Sequence, residues 1–570
     1  MSPEHPDTSP ATSRPASLRP VTFAAAALFA LVVLIQGVSA PFQKDAEPQS
    51  AQWIQSIVRD GHWLIPHDAY GYTDRKPPLF YWMSAIVADA TGRTVNEVRA
   101  RTVSVVAGTA LAVSVLAWTV TNVGASEGWL AFLFMLGTYG FASRATEALT
   151  DMMLTFLLFT AYSAIYPLLE SPTFASPGSA RRIILIGAVL GLGILTKGPV
   201  AIVLCALAVA IFLLIERRNP VAILRVRWPW QAVAIAIAIG AVWYVPAALV
   251  GGHKIVRIIF AENFGHFMPA RLGGTGESYR PFYYIGARLL GGAFPMTLLI
   301  VPAALAFYTG EISADKRRPV IYHISMSLAV LLFFSIASVK RDDYILPALP
   351  GIAILCASQF SLDGIRGAAA KLRDALVAAF VFAPIVVILY VAFFPDHAPH
   401  VDLQSSDSAY YALFRAMRWT SPISDLFDVW LVAVTVEVLV LSRRTRRSTI
   451  GGGIAFGLTA LVLCLLWTMT LRPMLAEMRS VKSFVPTIVD RVKADQLCIP
   501  AGINYELSYY YSAAVPDVSN PRCSYLLATP RELSAMTPDY RARLKLVEKS
   551  NLIGGGGPPA LFEISPGAVK

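Results

Sequence analysis

The chain has 570 residues, of which 55% are hydrophobic and only 15% charged, and its mean hydropathy is +0.55. A soluble protein carries roughly 25% charged residues, so the composition excludes both an ordinary cytosolic enzyme and a disordered chain. In a soluble protein the net charge of +11 would suggest nucleic-acid binding. Here the basic residues flank long apolar blocks, which indicates topology signals in a membrane protein and no nucleic-acid partner.

The N-terminal part of the chain predicts a cytoplasmic tail followed by a large membrane domain. Residues 1–20 are rich in Ser, Pro and Thr and are predicted to be disordered. The uncharged block 21–38 predicts an uncleaved first membrane helix. About thirteen apolar blocks lie between residues 21 and 471, and their Lys/Arg-rich short loops alternate. We therefore predict an α-helical polytopic membrane protein whose transmembrane domain is 21–471.

The first outward loop, 39–101, has a pattern of its own. Residues 50–58 place Trp53, Ile57 and Val58 on one helical face, which predicts an amphipathic helix in the membrane interface. The pattern alone also fits a plain interfacial loop with aromatic anchors.

The apolar stretch 183–215 has arginines at both ends, so both ends are predicted to be cytoplasmic. An even number of crossings then requires a turn. The only helix breaker is Thr196-Lys197-Gly198-Pro199, where we place that turn. Lys197 would lie below the outer surface, where a charge is costly and needs a partner.

The C-terminal region, 472–570, predicts a small α/β domain outside the membrane. Helix-like patterns alternate there with strand-like runs at 497–499 and 560–564. Cys498 and Cys523 both fall in this region, and a disulfide between them is plausible in an oxidising compartment.

Several motifs in order resemble the GT-C glycosyltransferases, which include bacterial lipid A aminoarabinose transferases and protein O-mannosyltransferases. The matching segments are the acidic start of the first loop, Gly61-His62-Trp63, Arg75-Lys76-Pro77-Pro78, Thr150-Asp151, Leu195-Thr196-Lys197-Gly198-Pro199, Pro281-Phe282-Tyr283-Tyr284 and Lys340 with Tyr344-Ile345-Leu346-Pro347. The resemblance covers residues 20–360. It implies a GT-C fold and transfer of a sugar from a polyprenyl phosphate, with inversion at the anomeric carbon.

The resemblance also implies which residues form the site. A carboxylate takes the proton of the acceptor, and cations bind the donor phosphate. The catalytic candidates are Asp45, Glu47 and Asp151, and the candidates for the donor phosphate are Lys76, Arg75, Lys197, Lys340 and Tyr344. The family has an Asp-Glu pair at the start of this loop. Counting back from Gly61 without a gap aligns Glu47 with the Glu of that pair, whereas Asp45 aligns with the Asp only after a one-residue shift. The choice between the two as base therefore stays open. Simpler roles are a helix cap for Asp151 and interfacial anchoring for the lysines.

Glu262, Asn263 and His266 stand where the family has acceptor or metal contacts. Glu262 and His266 are four residues apart, a spacing that suits two ligands on one helix. A divalent metal is the only cofactor that this pattern suggests.

These observations predict a bacterial inner-membrane glycosyltransferase whose site faces the periplasm. The expected partners are the lipid bilayer, a polyprenyl-phosphate-linked sugar and an acceptor, which is lipid A, another envelope glycan or a protein. A protein O-mannosyltransferase is the alternative within the class, and a transporter of lipid-linked substrates is the alternative outside it. The site candidates collect at the outer face, whereas a transporter places them near the midplane, which favours the enzyme.

Overall fold

The computed structural model describes residues 19–42, 46–73, 76–171, 173–174, 180–265, 280–360, 367–393, 449–552 and 557–565. The helices up to residue 264 are α1 (Pro20–Leu34), α2 (Ala46–Asp60), α3 (Leu79–Ala90), α4 (Glu97–Asn122), α5 (Ala125–Leu136), α6 (Tyr139–Ala145), α7 (Asp151–Ile165), α8 (Ala180–Lys197), α9 (Val200–Ile215) and α10 (Arg227–Phe264). The later helices are α11 (Tyr284–Gly292), α12 (Thr297–Tyr308), α13 (Ala314–Ile336), α14 (Leu349–Ser358), α15 (Ala368–Phe393), α16 (Thr449–Leu466), α17 (Arg472–Arg479), α18 (Val485–Ile488), α19 (Tyr505–Tyr511), α20 (Pro530–Ser534) and α21 (Pro538–Ala542).

The chain is a multi-pass membrane protein. Five segments of the described residues are long and apolar enough to span a bilayer, namely Glu97–Asn122, Asp151–Leu169, Arg227–Asn263, Ala314–Ile336 and Ile450–Arg479. The pair α11 and α12, bent by 103°, would be a sixth. Shorter apolar helices such as α1 and α9 accompany them. The count of about thirteen crossings stays a prediction, because residues 394–448 of the predicted membrane domain lie outside the described residues. Most of the predicted tail 1–20 lies outside them too.

Small residues let the central membrane helices approach each other closely. A Cβ at Gly187 would lie 2.7 Å from the carbonyl oxygen of Ala232, and one at Gly191 would lie 2.7 Å from the Cβ of Ile239. These contacts join α8 to α10, and small residues at such contacts are typical of helix packing in membranes. Because α8 also packs on α7, the outer ends of the two helices are held side by side.

The helix predicted in the first loop is present as α2, but the apolar face that we expected to lie in the membrane interface packs against protein instead. Trp53, Ile57 and Val58 are buried on its apolar face, in a cluster that also contains Phe80 and Tyr81 of α3. The face therefore packs against protein, and α2 is fixed relative to the helices behind it.

A four-stranded sheet lies near the C terminus. Its strands are β1 (Leu497–Cys498), β2 (Tyr525–Ala528), β3 (Leu544–Lys549) and β4 (Ala560–Ile564), in the order β1-β2-β4-β3. The pair β1 and β2 is parallel and the other two pairs are antiparallel. Cys498 of β1 is joined to Cys523 by a disulfide, with 5.8 Å between the Cα atoms.

The C-terminal region is docked on the first loop. The Lys482 ammonium lies 2.7 Å from a carboxylate oxygen of Glu97, to which the Tyr510 hydroxyl donates at 2.9 Å. The Tyr509 hydroxyl donates to the carbonyl of Val95 at 2.7 Å. Charged and phenolic groups from α19 and its surroundings thus hold the start of α4.

Candidate active site

The turn predicted in the stretch 183–215 is confirmed. Helix α8 ends at Lys197 and α9 begins at Val200. Gly198 between them has φ +78°, a conformation that glycine adopts without strain. A Cβ at Gly198 would collide with the side-chain oxygen of Asn263, so the turn lies directly against the end of α10.

Lys197 finds a partner at the start of α7. Its ammonium lies 2.5 Å from an oxygen of Asp151, and the two side chains are 17% and 8% exposed. The same ammonium lies 4.9 Å from the centre of the Tyr344 ring, which stacks on Phe334 at 4.3 Å. The ammonium is thus paired with both a carboxylate and a ring face, as a buried charge requires.

A cavity of about 260 Å³ opens beside this ion pair, and we call it the lysine cavity. It is lined by Lys76, Pro77, Lys197, Pro199, Val200, Val203, Glu262, Asn263, Phe333, Phe334, Ala337, Val339 and Tyr344. Burial and the nearby charge of Lys197 lower the pKa of the Lys76 ammonium, and the carboxylates of Glu262 and Asp151 oppose that shift. The cavity therefore has two ammonium groups and the carboxylate of Glu262 on an otherwise mostly apolar wall.

A second cavity, of about 280 Å³, adjoins the lysine cavity, and we call it the arginine cavity. It is lined by Ala46, Arg144, Leu149, Arg280, Tyr284, Val339, Lys340, Arg341, Asp342 and Asp343. Arg144 lies 2.5 Å from Asp343, and Arg341 lies 3.4 Å from the same carboxylate. Val339 lines both cavities, so the two are neighbours.

Lys340 belongs to the arginine cavity and not to the lining of the lysine cavity. Its ammonium donates a hydrogen bond to the carbonyl of Ala337 at 2.7 Å. Burial lowers the pKa of the Lys340 ammonium. The three lysines expected to share one phosphate site are thus divided between two neighbouring cavities.

Glu47 lies in a closed ion pair. Its carboxylate accepts hydrogen bonds from Arg101 at 2.8 and 3.0 Å and from the backbone N–H of Ala148 at 2.9 Å. Both side chains are at most 1% exposed. Burial raises the pKa of Glu47, but the charge and hydrogen bonds of Arg101 outweigh it and the net pKa is lowered. Arg101 also donates to the carbonyls of Val38 and Ala40.

Three predicted site residues, Asp45, Arg75 and His266, lie outside the described residues. Glu262 and Asn263 line the lysine cavity. In the part of the chain that the structure describes, no three His, Cys, Asp or Glu side chains are grouped closely enough to hold a metal ion.

The motif comparison did not single out Arg101, Arg144 or Asp343. Arg101 pairs with Glu47 and Arg144 pairs with Asp343, and in each pair the partners are distant in the sequence. The charged start of α4, with Glu97, Arg99 and Arg101, does not indicate which of these groups is buried.

The chain is similar to known proteins in sequence and in fold. The profile of a family described as dolichyl-phosphate-mannose-protein mannosyltransferase matches residues 75–245, a segment that contains Lys76, Asp151 and Lys197. A relative from Shewanella sediminis, named undecaprenyl phosphate-alpha-4-amino-4-deoxy-L-arabinose arabinosyl transferase, is 26% identical over 354 residues. That match covers 62% of this chain and 62% of the relative, which is less than two thirds of its length. A relative of the same name from Serratia proteamaculans is 25% identical over 416 residues, covering 72% of this chain and 71% of the relative.

Solved structures show the same fold over nearly the whole chain. ArnT from Cupriavidus metallidurans bound to undecaprenyl phosphate has a TM-score of 0.70 and 17% identity, covering 95% of this chain and 97% of that one. ArnT in the apo state has a TM-score of 0.69 and 16% identity, with the same coverage. At such identities the likeness concerns the fold.

Proposed function

We propose that this chain, a GT-C glycosyltransferase that resembles ArnT in sequence and fold, moves a sugar from a polyprenyl phosphate to lipid A or another envelope glycolipid or glycan. The observation that carries the proposal is the lysine cavity. Its two ammonium groups suit a phosphate, and its wall of Val200, Val203 and Phe333 suits an isoprenoid chain. The relatives are named as arabinosyl transferases, which favours sugar transfer over transport.

In this proposal Lys76 and Lys197 bind the phosphate of the donor. Asp151 orients Lys197 through the 2.5 Å ion pair, and Tyr344 supports the same ammonium with its ring. The bond between the anomeric carbon and the phosphate oxygen breaks as the acceptor oxygen attacks from the opposite face, so the configuration inverts. The ammonium groups stabilise the charge of the departing polyprenyl phosphate.

The base of the reaction is assigned by the same reasoning. The carboxylate of Glu47 already accepts hydrogen bonds from Arg101 and Ala148 and is 1% exposed, so we assign it a positioning role. Asp45, which precedes the cavity-lining residue Ala46, is then the proposed base for a hydroxyl acceptor. Arg75, His266 and a bound divalent metal stay predictions.

The proposed setting is the bacterial inner membrane, with both cavities open to the periplasmic side. Residues 1–20 would form the cytoplasmic tail, 21–471 the membrane domain with its first periplasmic loop at 39–101, and 472–570 the periplasmic α/β domain. The disulfide between Cys498 and Cys523 supports a periplasmic C-terminal region, because disulfides persist in oxidising compartments.

Donor kinetics of a lysine variant test the proposal. Lys197→Ala removes an ammonium from the lysine cavity, and we expect kcat/KM for the polyprenyl-phosphate sugar to fall by about tenfold to a hundredfold. Lys254→Ala, an exposed lysine on α10, is the matched control and should keep the wild-type value. Purified wild-type enzyme that transfers sugar to none of lipid A, glycan or protein would refute the function. Equal donor kinetics in the two variants would remove Lys197 from the site.

A further inference from the structure

An apolar groove of about 410 Å³ runs along α9, and we call it the tryptophan groove. Its walls come from α7, α8, α9, the 3-10 helix Pro220–Arg225 and the first turns of α10. Its lining residues include Ile186, Leu190, Ile202, Leu213, Trp228 and Trp230. None of its described lining residues also lines the lysine cavity or the arginine cavity, so the groove is not part of the candidate active site.

The length of the groove matches one leaflet of a bilayer. On α9 its lining residues run from Ile202 to Leu213. At about 1.5 Å per residue, these two residues are separated by about 16 Å along the helix. Half of the hydrocarbon core of a typical bilayer is about 15 Å thick. A ligand that fills the groove is therefore about as long as one acyl chain of a single leaflet.

Two exposed arginines stand where the 3-10 helix meets α10. Arg225 ends the 3-10 helix, and Arg227 directly precedes the lining residue Trp228. Both arginines are exposed, and no carboxylate of the described residues forms an ion pair with either of them. Glu216, the nearest acid in the sequence, is already paired with Arg318 at 2.6 Å. This end of the groove therefore carries positive charge that the described residues do not neutralise.

A third arginine reaches the same end of the groove from α8. The glycine contacts between α8 and α10 show that the two helices run in the same direction. Gly187 lies against Ala232, so Arg182 of α8 is at about the level of Arg227 of α10, five residues earlier on each helix. Ile186, one turn further on the same face as Arg182, lines the groove. Like charges at one level repel each other, and an anion between them relieves that repulsion.

The indole N–H of Trp228 also needs an acceptor. Trp228 lines the groove and is 8% exposed, and its N–H has no hydrogen-bond acceptor in the described part of the chain. A buried donor without an acceptor is costly, and an ester or phosphate oxygen of a lipid in the groove would supply one. The indole N–H of Trp230, in contrast, donates to the carbonyl of Leu224 at 2.9 Å and so fixes the 3-10 helix against α10. Tryptophans at this level are typical of the boundary between hydrocarbon and headgroups.

We propose that the tryptophan groove binds an anionic phospholipid, with its phosphate at Arg225 and Arg227 and one acyl chain along α9. The second chain stays in the surrounding bilayer. Basic pockets between membrane helices bind anionic headgroups on the cytoplasmic side, and the predicted topology places the arginine end of the groove there. The inference does not depend on the proposed function, because the groove is separate from both cavities and no sugar transfer is involved.

A charge variant tests the headgroup site. By native mass spectrometry of the full-length protein in detergent, we expect the wild type to bind phosphatidylglycerol about tenfold more tightly than phosphatidylcholine with the same acyl chains. Arg225→Gln combined with Arg227→Gln should reduce this preference to less than about threefold. Lys254→Gln combined with Arg257→Gln, at two exposed positions near the other end of α10, is the matched control and should keep the preference.

A bulky residue in the groove tests the chain site. Ala206 is an exposed residue of α9 in the groove lining, so Ala206→Phe fills the groove without disturbing the packing between helices. We expect it to weaken phosphatidylglycerol binding by about tenfold and to change undecaprenyl phosphate binding by less than about twofold. Ala238→Phe, at an exposed position of α10 that is not in the groove lining, is the matched control and should bind both lipids as the wild type does.

Several outcomes would overturn the inference. Equal binding of phosphatidylglycerol and phosphatidylcholine by the wild type would show that the arginines do not select an anion. Displacement of phosphatidylglycerol by glycerol 3-phosphate would assign the charge to a soluble phosphate, and a parallel loss of undecaprenyl phosphate in Ala206→Phe would assign the groove to that lipid. A changed oligomeric state of Ala206→Phe would make the groove a contact between copies of the chain. Since none of these measurements uses sugar transfer, failure of the proposed function leaves the lipid site standing.

Discussion

At the scale of single residues, the fold pairs buried charges that are distant in the sequence. Lys197 meets Asp151, and Arg101 meets Glu47, although the partners are 46 and 54 residues apart in the chain. The sequence identifies Asp151, Lys197 and Glu47 as candidate site residues, because a charge beside an apolar block needs a partner. The sequence does not show which two charged side chains form an ion pair, because the pairing depends on how the helices pack. The choice between Glu47 and Asp45 as the base is open in the sequence for a different reason, the one-residue shift in the alignment of the first loop.

Replacing Glu47 separates a positioning role from a catalytic one. Glu47→Gln leaves Arg101 buried without its counter-charge, so we expect a loss of about 3–5 kcal/mol in stability, measured by thermal unfolding in detergent. Transfer by the surviving folded protein should fall less than a hundredfold. Glu477→Gln, at an exposed position on α17, is the control. A stable Glu47→Gln protein with no transfer would restore Glu47 as the base.

The pH dependence of kcat/KM for the proposed donor should report the protonation state of the Lys76 ammonium. Because burial and the charge of Lys197 lower the pKa of Lys76 from its ordinary value of 10.5, its ammonium loses the proton at a lower pH. The charge that binds phosphate is present below that pKa and lost above it, so donor kcat/KM should decline on the alkaline side before pH 10.5. Lys76→Arg stays charged, and its profile should lack this decline. An identical alkaline limb in both enzymes would assign the titration to another group.

At the scale of elements, the local sequence pattern predicts a helix or a turn correctly wherever a helix has one apolar face or ends at a clear helix breaker. Helix α2 and the turn between α8 and α9 were both predicted from such patterns, and the strand-like runs at 497–499 and 560–564 correspond to β1 and β4. Strand β3 was missed because most of its side chains are exposed, so it lacks an alternating apolar face. Short β2 was missed because its four residues carry too little periodicity.

The turn at Gly198 should be intolerant of a side chain. Gly198→Ala places a Cβ at φ +78° and drives it into Asn263, so we expect a loss of about 1–2 kcal/mol from the backbone alone and weaker donor binding from the displaced Lys197. Gly286→Ala, a helical position with open space, should be neutral or slightly stabilising. The measurements are thermal unfolding and the donor KM. Wild-type behaviour of Gly198→Ala would contradict the geometry of the turn.

At the scale of the whole molecule, the C-terminal region is part of the site's support. Lys482 and Tyr510 reach Glu97 across 385 and 413 residues of sequence, and Arg472 donates to the carbonyl of Thr146 at 3.2 Å. The sequence indicated a separate α/β unit after the last membrane helix but gave no signal for where it docks, because its contacts are single polar groups. The arginine cavity was missed for a similar reason, since its charges come from three distant parts of the chain.

Loosening this docking should expose the C-terminal region to protease. Glu97→Gln removes the carboxylate that holds Lys482 and Tyr510, so we expect trypsin to cut near Arg479 and Lys482 several-fold faster in the solubilised protein. Glu563→Gln, an exposed residue of β4, should be cut at the wild-type rate. Equal rates in the two variants would show that the polar contacts at Glu97 do not hold the docked state.

The apolar wall of the lysine cavity determines how substrate supply has to be counted. Val200, Val203 and Phe333 are matched to a hydrocarbon chain, and a ligand of that kind is dissolved in lipid and not in water. For the proposed donor, the quantity that sets occupancy is then its mole fraction among the surrounding lipids. Doubling the detergent concentration at a fixed donor molarity should lower the rate as much as halving the donor concentration does. Michaelis constants from different preparations are therefore comparable only when the donor is expressed as a mole fraction.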